Sequence, residues 1–491
     1  MSTQATMDIS YFNPLFKEAV EDQIKLLVPD HEVLFKSLAY ENIAPLGGGD
    51  YVLRVISSRE HGFTALGSGT GSNQRLNDPI VSGTDRASMR PSAYTGRTQI
   101  DRVAVSRMAN LGSVAADKQS SQSAREAART YMASEISYPS EALLSSGTWV
   151  LEEMLWHGQN GRANVGTLNN TTHPSDFNDT ATTTALNTTS YFFDASGTAI
   201  TSNANLGTSQ AVLSIIFPIK VWASALWAGA EGMILDLFTS AGVKICTLPP
   251  IQAVDIINRK VTFESAISGN STAIGASSVI FRKGFKEYEG QGIVNIMNTQ
   301  SSVLFGIDQT KKALWSATKV SNNDTVISPI KIINSLALAY GRGMIGSVKM
   351  FCSERVFAKI VPDFLTAKDQ LVQASATPNN LGNRQGRSFD KQSEVLDLVH
   401  GTKSIKFIIM DMEVELIASG YCKTGDLIAF PDKIAKRIGS SEPTFEDPLV
   451  GKGVFFHRLP DYQAAELRLF FDQAPFLSRP NRCLYISDIA V

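Results

Sequence analysis

The chain has 491 residues, of which 43% are hydrophobic and 19% charged, and its formal net charge is −2. A chain of this length allows about two to four folded units and can bury a large core without disulfides or metals. The near-neutral charge provides no global basic field that would hold nucleic acid or an anionic membrane.

The first predicted element is an amphipathic helix over residues 16–38, in which apolar residues recur at helical spacings and Pro29 marks a break. Pro45 and the glycines at 47–49 end this segment. Residues 51–56 then read as a β-strand that places Tyr51, Leu53 and Val55 on one face. The polar first residues lack a basic stretch followed by an apolar one, so we expect no signal peptide.

A glycine-rich polar segment runs from residue 62 to residue 97 and contains almost no large apolar residue. A segment of this composition cannot bury itself. We therefore expect it to be either disordered or an extended hairpin that neighbouring subunits hold in place. Residues 100–108 alternate again, with the apolar residues Ile100, Val103 and Val105, and are the predicted return strand.

Arginine residues recur through this segment and its flanks, interleaved with aspartate and glutamate. Arginine suits interfaces, because its planar guanidinium makes two parallel hydrogen bonds to a carboxylate. The mixed signs argue against a nucleic-acid groove, which would be mostly basic with aromatic residues for stacking. We favour an arm that clasps a neighbouring subunit over a solvated loop. The candidate interface residues are Arg54, Arg59, Arg75, Arg86, Arg90 and Arg97.

Two helices are predicted next, over residues 120–138 and 140–157, with Pro139 between them and a glycine as the carboxyl-terminal cap. Near the end of the second helix, Glu152 and Glu153 are adjacent and therefore lie on different helix faces. They are not the facing pair that general acid and base catalysis needs. We assign them a position on the helix surface and a salt bridge across a subunit contact.

A tract rich in threonine, asparagine and serine covers residues 168–206 and predicts a surface excursion or a polar hairpin. The apolar stretch 211–238 is interrupted by a proline and by charged residues. Because a membrane-spanning helix needs about 20 uninterrupted apolar residues, we interpret this stretch as buried core. Short strands at 254–257, 261–263 and 279–281 indicate a small β-rich domain.

The remaining pattern predicts a helix over 328–340, a strand over 348–352, a short helix over 354–360 and, from residue 404 onward, alternating strands and turns. Residues 341–346 match the spacing GxGxxG. A dinucleotide site needs a strand before these glycines and a helix after them, and here the predicted order is reversed. We interpret the motif as a helix cap and turn.

No residue set predicts a catalytic, cofactor or metal site. The six histidines are scattered singly, and the four cysteines are far apart without a CxxC pair. Neither metal-ligand spacing nor a redox motif is therefore present, and no GxSxG motif occurs. We expect a protein that is not an enzyme and holds no cofactor.

The order of these segments resembles the major capsid proteins of tailed bacteriophages. The resemblance covers most of the chain and depends on segment order more than on one signature. It implies an α+β fold of the Hong Kong ninety-seven phage type. The segments that carry it are the glycine-rich arm, the helix ending in residues 152–158 (EEMLWHG), Gly166-Thr167-Leu168, residues 302–308 (SVLFGID) with Trp315 just beyond, and the apolar closing strands.

This family places an amino-terminal arm before an extended two-stranded loop, a long spine helix and an axial domain, and its longer members insert a β-rich domain. Some members crosslink their shells through a lysine of the extended loop. Residues 37–117 contain no lysine, so such crosslinking is not expected here. The implied units are an amino-terminal arm and helix (1–46), the extended loop (47–110), a peripheral domain with the spine helix (111–167), the inserted β-rich domain (168–300), the axial domain (301–440) and closing strands of the peripheral and axial core (441–491).

The function that the resemblance implies is self-assembly, through hexamers and pentamers, into an icosahedral head shell that encloses double-stranded DNA nonspecifically. Scaffold, portal and cement proteins are further implied partners, and a membrane is not. The implied location is the virion, after assembly in the host cytoplasm. Two alternatives stay open, namely an encapsulin-like compartment for a protein cargo and a β-rich tail or adhesin protein.

Overall fold

The structure is a computed structural model that describes residues 33–43, 50–56, 83–100, 122–164, 192–198, 200, 211–239, 241–268, 274, 278–300, 302–363, 404–446, 456–458 and 465–490. These residues form a mixed helical and stranded structure in which strands dominate, as the α+β prediction expects. The chain divides into two compact units. The first comprises Met1–Gly49, Arg90–Leu155 and Arg437–Pro475, and the second comprises Asp50–Met89, Trp156–Lys436 and Phe476–Val491.

The described elements follow in chain order. The first are α1 (Val33–Ser37), β1 (Ala39–Asn42), β2 (Tyr51–Ile56), β3 (Thr84–Met89), β4 (Ser92–Ile100) and α2 (Gln122–His157). Next are β5 (Ala163–Asn164), β6 (Phe192–Phe193), β7 (Val212–Ile216), α3 (Ser224–Trp227), β8 (Leu235–Phe238), β9 (Lys244–Thr247), β10 (Ile251–Asp255), β11 (Lys260–Ile267), β12 (Val279–Arg282), α4 (Ile293–Asn298), β13 (Val303–Leu304) and β14 (Ile307–Asp308). The last are β15 (Thr318–Val326), α5 (Pro329–Gly341), β16 (Gly346–Cys352), α6 (354–363), β17 (Ser404–Ile409), β18 (Met412–Ala418), β19 (Leu427–Pro431), β20 (Ala435–Thr444), β21 (Phe456–Arg458), β22 (Ala465–Leu477) and β23 (Leu484–Ala490).

Helix α2 is one continuous helix of 36 residues, so the prediction of two helices separated at Pro139 is wrong. A proline removes one backbone hydrogen bond and crowds the carbonyl four residues earlier. The residues on both sides include many strong helix formers such as alanine, glutamate and leucine. Helix propagation through these residues compensates for the hydrogen bond that is lost at Pro139, so the helix continues. Buried residues of its second half, including Leu144, Thr148 and Leu151, recur at helical spacings.

A five-stranded sheet belongs mainly to the first unit, with the order β1-β20-β22-β21 and with β4 also paired to β22. Strand β4 runs antiparallel to β22, from Ser92 opposite Gln473 to the far end of the strand. The backbones of β20 and β22 approach closely at Gly439. A Cβ atom there would lie 1.8 Å from the carbonyl oxygen of Asp472, so only glycine fits.

Strand β2 pairs antiparallel with β3 in the second unit, with Tyr51 opposite Met89. Of the predicted return strand over residues 100–108, the structure describes only Ile100, which ends β4, so that strand stays a prediction. Sequence reasoning missed β3 because its buried side chains, Ala87 and Met89, are too few to produce an apolar alternation. Residues 101–108 lie outside the described part of the chain.

The largest sheet of the second unit has six strands in the order β15-β23-β19-β16-β18-β17. The pairs β15 with β23 and β16 with β18 are parallel, and the others are antiparallel. Helix α5 packs on this sheet through Ile332, Leu336 and Ala339, which share one buried apolar cluster with residues of β16, β18 and β23. The predicted helix over 328–340 and the predicted strand over 348–352 are confirmed.

Two further sheets of the second unit have four strands each, in the orders β10-β11-β7-β6 and β5-β12-β8-β9. The apolar stretch 211–238 contributes buried residues, as predicted for core. Among them Trp222 and Trp227 stack with ring centroids 5.4 Å apart and planes at 2°. Within the described ranges, no helix is long and apolar enough to cross a membrane.

Candidate subunit interface

Helix α5 has apolar side chains on two faces, and only one of these faces is buried. Ile330, Ile333 and Leu338 point away from the sheet cluster and are 70%, 38% and 59% exposed. We call these three residues the α5 outer face. Val326 and Ile345, which flank the helix in the chain, are also exposed. Apolar side chains grouped along one element mark a surface that another molecule covers.

Hydrogen bonds fix both ends of α5. The Ser328 hydroxyl oxygen accepts from the backbone amide of Lys331 at 3.3 Å and caps the first turn. At the other end, the Arg342 guanidinium donates to the carbonyl oxygen of Ser316 at 2.8 Å. Gly343 follows with a φ of +98°, which glycine adopts without strain. The GxGxxG residues thus form the predicted helix cap and turn, and the α5 outer face is rigidly presented.

Two of the predicted interface arginines lie directly opposite each other in the β2–β3 hairpin. Arg54 pairs in register with Arg86, and both side chains are exposed. Like charges in directly opposite positions repel, at a cost of about 0.2–1 kcal/mol. Among the described residues no carboxylate forms an ion pair with either guanidinium. Arg59 and Arg75 lie outside the described part of the chain.

Two more candidate arginines lie in the first unit. Arg90 and Arg97 are both exposed. Arg97 lies opposite Arg468 in the β4–β22 pair, and the Arg468 Nε atom donates to Glu466 Oε1 at 2.8 Å. A subunit contact through either arginine stays a prediction.

Glu152 is fully buried in the first unit, and Glu153 is only 6% exposed, so the predicted helix-surface position is wrong for both. The two carboxylate oxygens of Glu152 accept hydrogen bonds from the backbone amides of Leu34 and Phe35, both at 2.8 Å. These amides lie in the first turn of α1, where a helix has no backbone acceptor of its own and its dipole favours a negative charge. Glu152 therefore caps α1 from a distance of 118 residues in sequence. The salt bridge across a subunit contact stays a prediction.

A polar cluster beside β19 was missed by sequence reasoning, because its members come from distant segments. The Tyr485 hydroxyl donates to Asp426 Oδ1 at 2.8 Å. The Lys423 ammonium donates to the carbonyl oxygen of Gly161 at 2.9 Å. Burial raises the pKa of Asp426 to about 6, although the nearby Lys423 charge and the Tyr485 hydrogen bond lower it. Asp426 is therefore a titratable group within the physiological range.

Asp426 is expected to lower the stability of the chain as the pH rises from about 4 to about 7. Its pKa is about 6 in the folded chain against an ordinary value of 3.8, so the folded state binds this proton more tightly than the unfolded state does. The resulting contribution to the free energy of unfolding is lost as the pH rises through that interval. The free energy of unfolding of Asp426→Asn, measured relative to that of wild type, should therefore increase by on the order of 2 kcal/mol when the pH is raised from about 4 to about 7. Urea unfolding at both pH values measures this gain, and a difference independent of pH contradicts the prediction.

Three of the four cysteines are buried, and all four are free. Burial raises the pKa of the Cys352, Cys422 and Cys483 thiols, which keeps them protonated and weakly nucleophilic. Within the described ranges, no three histidine, cysteine, aspartate or glutamate side chains converge in a way that could hold a metal ion.

No protein-family model matches the sequence, and no curated protein matches it. Among solved structures, the chain is similar to the capsid asymmetric unit of cyanophage A-1(L), at a TM-score of 0.39 and 8% identity over 96% of this chain and 93% of that one. It is also similar to the capsid of the native GTA particle (TM-score 0.34, 8% identity, 94% and 92% covered) and to Mycobacterium phage Patience (TM-score 0.34, 7% identity, 99% and 90% covered). The likeness to the SrpI encapsulin of Synechococcus elongatus covers only 35% of this chain and 53% of that one, at a TM-score of 0.22 and 8% identity. The likenesses that cover more than nine tenths of this chain are to these phage and capsid structures, whereas the encapsulin likeness is partial.

Proposed function

We propose that this chain is the major capsid protein of a tailed bacteriophage, a structural subunit that self-assembles into an icosahedral head shell around double-stranded DNA. The observation that carries assembly is the α5 outer face. Its three aliphatic side chains are exposed to solvent, on a helix whose two ends are fixed by hydrogen bonds. Burying one such side chain fully contributes about 1.5–3 kcal/mol, so a subunit contact that covers this face is strongly favoured.

The order of the elements supports a shell subunit in particular. In sequence, the described chain contains the β2–β3 hairpin, the 36-residue helix α2, two four-stranded sheets, helix α5 on the six-stranded sheet, and the closing strands β22 and β23. The same order carries the sequence resemblance to phage capsid proteins. On this basis we assign the extended loop to residues 47–110, the spine to α2, the inserted domain to 168–300 and the axial domain to 301–440.

Assembly in this proposal depends on many modest contacts. Closure of a hexamer or pentamer makes the last contacts intramolecular, which raises the overall avidity far above that of one contact. The enclosed DNA is held without sequence specificity, since a chain with a net charge of −2 releases few counterions. Scaffold, portal and cement proteins, assembly in the host cytoplasm and a final location in the virion complete the proposal, which assigns no enzymatic activity.

The test of this function is electron microscopy of the full chain expressed alone, together with mass determination by light scattering. Hollow particles, hexamers or pentamers are the expected result. A monomer that a co-expressed scaffold protein does not convert into particles contradicts the proposal. A trimeric rod indicates the tail or adhesin alternative, and particles that enclose a specific protein cargo indicate the encapsulin-like one.

Leu338→Asp is expected to shift the chain from particles or capsomers toward monomers. The side chain is 59% exposed, so the monomer fold tolerates the change, whereas a covered interface must then bury an unpaired carboxylate. The concentration at half assembly should rise by at least about tenfold. Val243→Asp, at an aliphatic residue that is 65% exposed in the β8–β9 turn, is the matched control. Size-exclusion chromatography with light scattering compares the two, and equal assembly of both variants contradicts the assignment of the α5 outer face.

A further inference from the structure

A cleft of about 770 Å³ in the second unit concentrates positive charge. Its walls are strand β2, the turn that follows β14, and the turn between β22 and β23. We call it the basic cleft. Its charged lining residues are Arg54, Lys311, Lys312, Arg479, Arg482 and Asp85. With five cations and one carboxylate, the lining carries a formal charge of +4.

Within the part of the chain that the structure describes, the two lysines of this lining each have a carboxylate partner and its arginines have none. The Lys312 Nζ atom lies 3.6 Å from Asp85 Oδ2, and the Lys311 Nζ atom lies 3.7 Å from Asp308 Oδ2. The Lys311 pair is exposed and contributes little, and the half-buried Lys312 pair is already included in the formal charge of +4. The three arginines of the lining form no ion pair with any residue that the structure describes; they are Arg54, Arg479 and Arg482.

The walls of the basic cleft are held in place by hydrogen bonds. The Trp315 Nε1 atom donates to the carbonyl oxygen of Leu304 at 3.0 Å, which fixes one turn. The Asn481 side-chain amide donates to the carbonyl oxygen of Arg342 at 2.9 Å, which fixes the other. The cationic side chains therefore start from preformed positions, and binding has to order only their ends.

The lining favours a protein segment over nucleic acid. Two of its aliphatic side chains, Ile56 and Leu314, are 72% and 66% exposed beside the cations. A segment that carries both carboxylates and an apolar side chain satisfies the two kinds of lining together. A nucleic-acid groove instead offers aromatic faces for bases, and the aromatic residue of this lining, Trp315, is only 5% exposed.

Charge complementarity identifies a second copy of this chain as the occupant. The whole chain has a formal charge of −2 and the cleft lining one of +4, so the rest of the chain carries −6. We propose that the basic cleft of one copy binds an acidic segment of a second copy. This inference rests on the proposed shell function, and it names a contact that is separate from the α5 outer face. Such a contact joins two different surfaces, as the closed rings of a shell require.

Two charge-reversal variants, one on each strand of the β2–β3 hairpin, test this contact. Arg54→Glu and Arg86→Glu each replace a repulsive cross-strand pair by an attractive one, so both retain or improve the fold. Of the two, only Arg54 lines the cleft, so we assign this contact to Arg54 and not to Arg86, although the sequence made both of them interface candidates. In the full chain at about 0.1 M salt, Arg54→Glu should raise the concentration at half assembly about tenfold, whereas Arg86→Glu and Arg54→Lys should leave it near the wild-type value. The wild type should also lose assembly as salt is added, and Arg54→Glu should lose this dependence.

The outcomes separate this inference from the function on which it rests. If the wild type assembles and Arg54→Glu assembles equally well, or if Arg86→Glu is impaired to the same extent, the basic cleft is not the contact although the shell function stands. If the wild type does not assemble at all, even with a scaffold protein, both fail. Fluorescence anisotropy with a labelled DNA duplex provides the last comparison. A loss of DNA binding in Arg54→Glu with unchanged assembly assigns the cleft to nucleic acid and overturns the proposal.

Discussion

Gly439→Ala is expected to lower the free energy of unfolding of the first unit by about 3 kcal/mol or more. An added Cβ atom would lie 1.8 Å from the carbonyl oxygen and 2.9 Å from the carbonyl carbon of Asp472, both in the backbone of β22. A flexible side chain could move aside, but a paired strand cannot. The change must therefore separate β20 from β22. The carbonyl oxygen of Gly439, which accepts from the backbone amide of Ile43 at 2.9 Å, moves with β20 and weakens that contact as well.

Hydrogen exchange measured by mass spectrometry tests this expectation on the whole chain. The amides of β20 and β22 should exchange much faster in Gly439→Ala, while those of β16 and β18 in the second unit should not change. Gly341→Ala is the matched control, because a Cβ at this last residue of α5 meets no atom within 4 Å. That variant should be neutral or slightly stabilised, since alanine suits a helix better than glycine. Wild-type protection of β20 and β22 in Gly439→Ala contradicts the close approach.

Glu152→Ala is expected to destabilise the packing of α1 by about 2–4 kcal/mol. The substitution removes two hydrogen bonds at 2.8 Å and leaves the amides of Leu34 and Phe35 buried without an acceptor. Burial lowers the pKa of the Arg437 guanidinium, which lies 3.9 Å over the Phe35 ring, and the nearby Glu442 and Glu152 charges partly offset that shift. Loss of Glu152 therefore also leaves a buried cation less well compensated.

The expected result is local release of α1 and β1 rather than global unfolding. Limited proteolysis between residues 33 and 43 should become faster, and the exchange protection of Leu34 and Phe35 should be lost. Glu141→Ala, at an exposed residue of the same helix, removes a carboxylate without touching α1 and should behave as wild type. If Glu141→Ala and Glu152→Ala have equal effects, the loss of negative charge from α2, and not the cap, is responsible.

Local signals predicted α5 well but could not predict its role. Ser328 and Pro329 mark its start, the apolar period gives its body, and the glycines after Tyr340 mark its end. The period cannot say which apolar residues face the sheet when the helix is apolar nearly all round. Leu336 and Leu338 look alike in the sequence, yet one is buried and the other is 59% exposed.

The parts that the sequence could not predict all depend on partners that are distant in the chain. In the sequence, Glu152 resembles a surface carboxylate, because nothing near it in the chain indicates a partner. The backbone amide of Leu34 that donates to it lies 118 residues away. Arg54 and Arg86 could be proposed as interface residues from composition, but their opposition follows only from the register of β2 and β3. The basic cleft is assembled from three separate segments and leaves no local motif.

The tryptophans of the chain are distributed unequally between its two units. Trp149 belongs to the first unit, whereas the other four, including the stacked and buried pair Trp222 and Trp227, belong to the second. Intrinsic emission from indole rings therefore comes mainly from the second unit, and its red shift in denaturant follows the loss of that unit's core. Removal of Trp149 therefore gives a chain whose tryptophan fluorescence reports on the second unit alone, with no added dye.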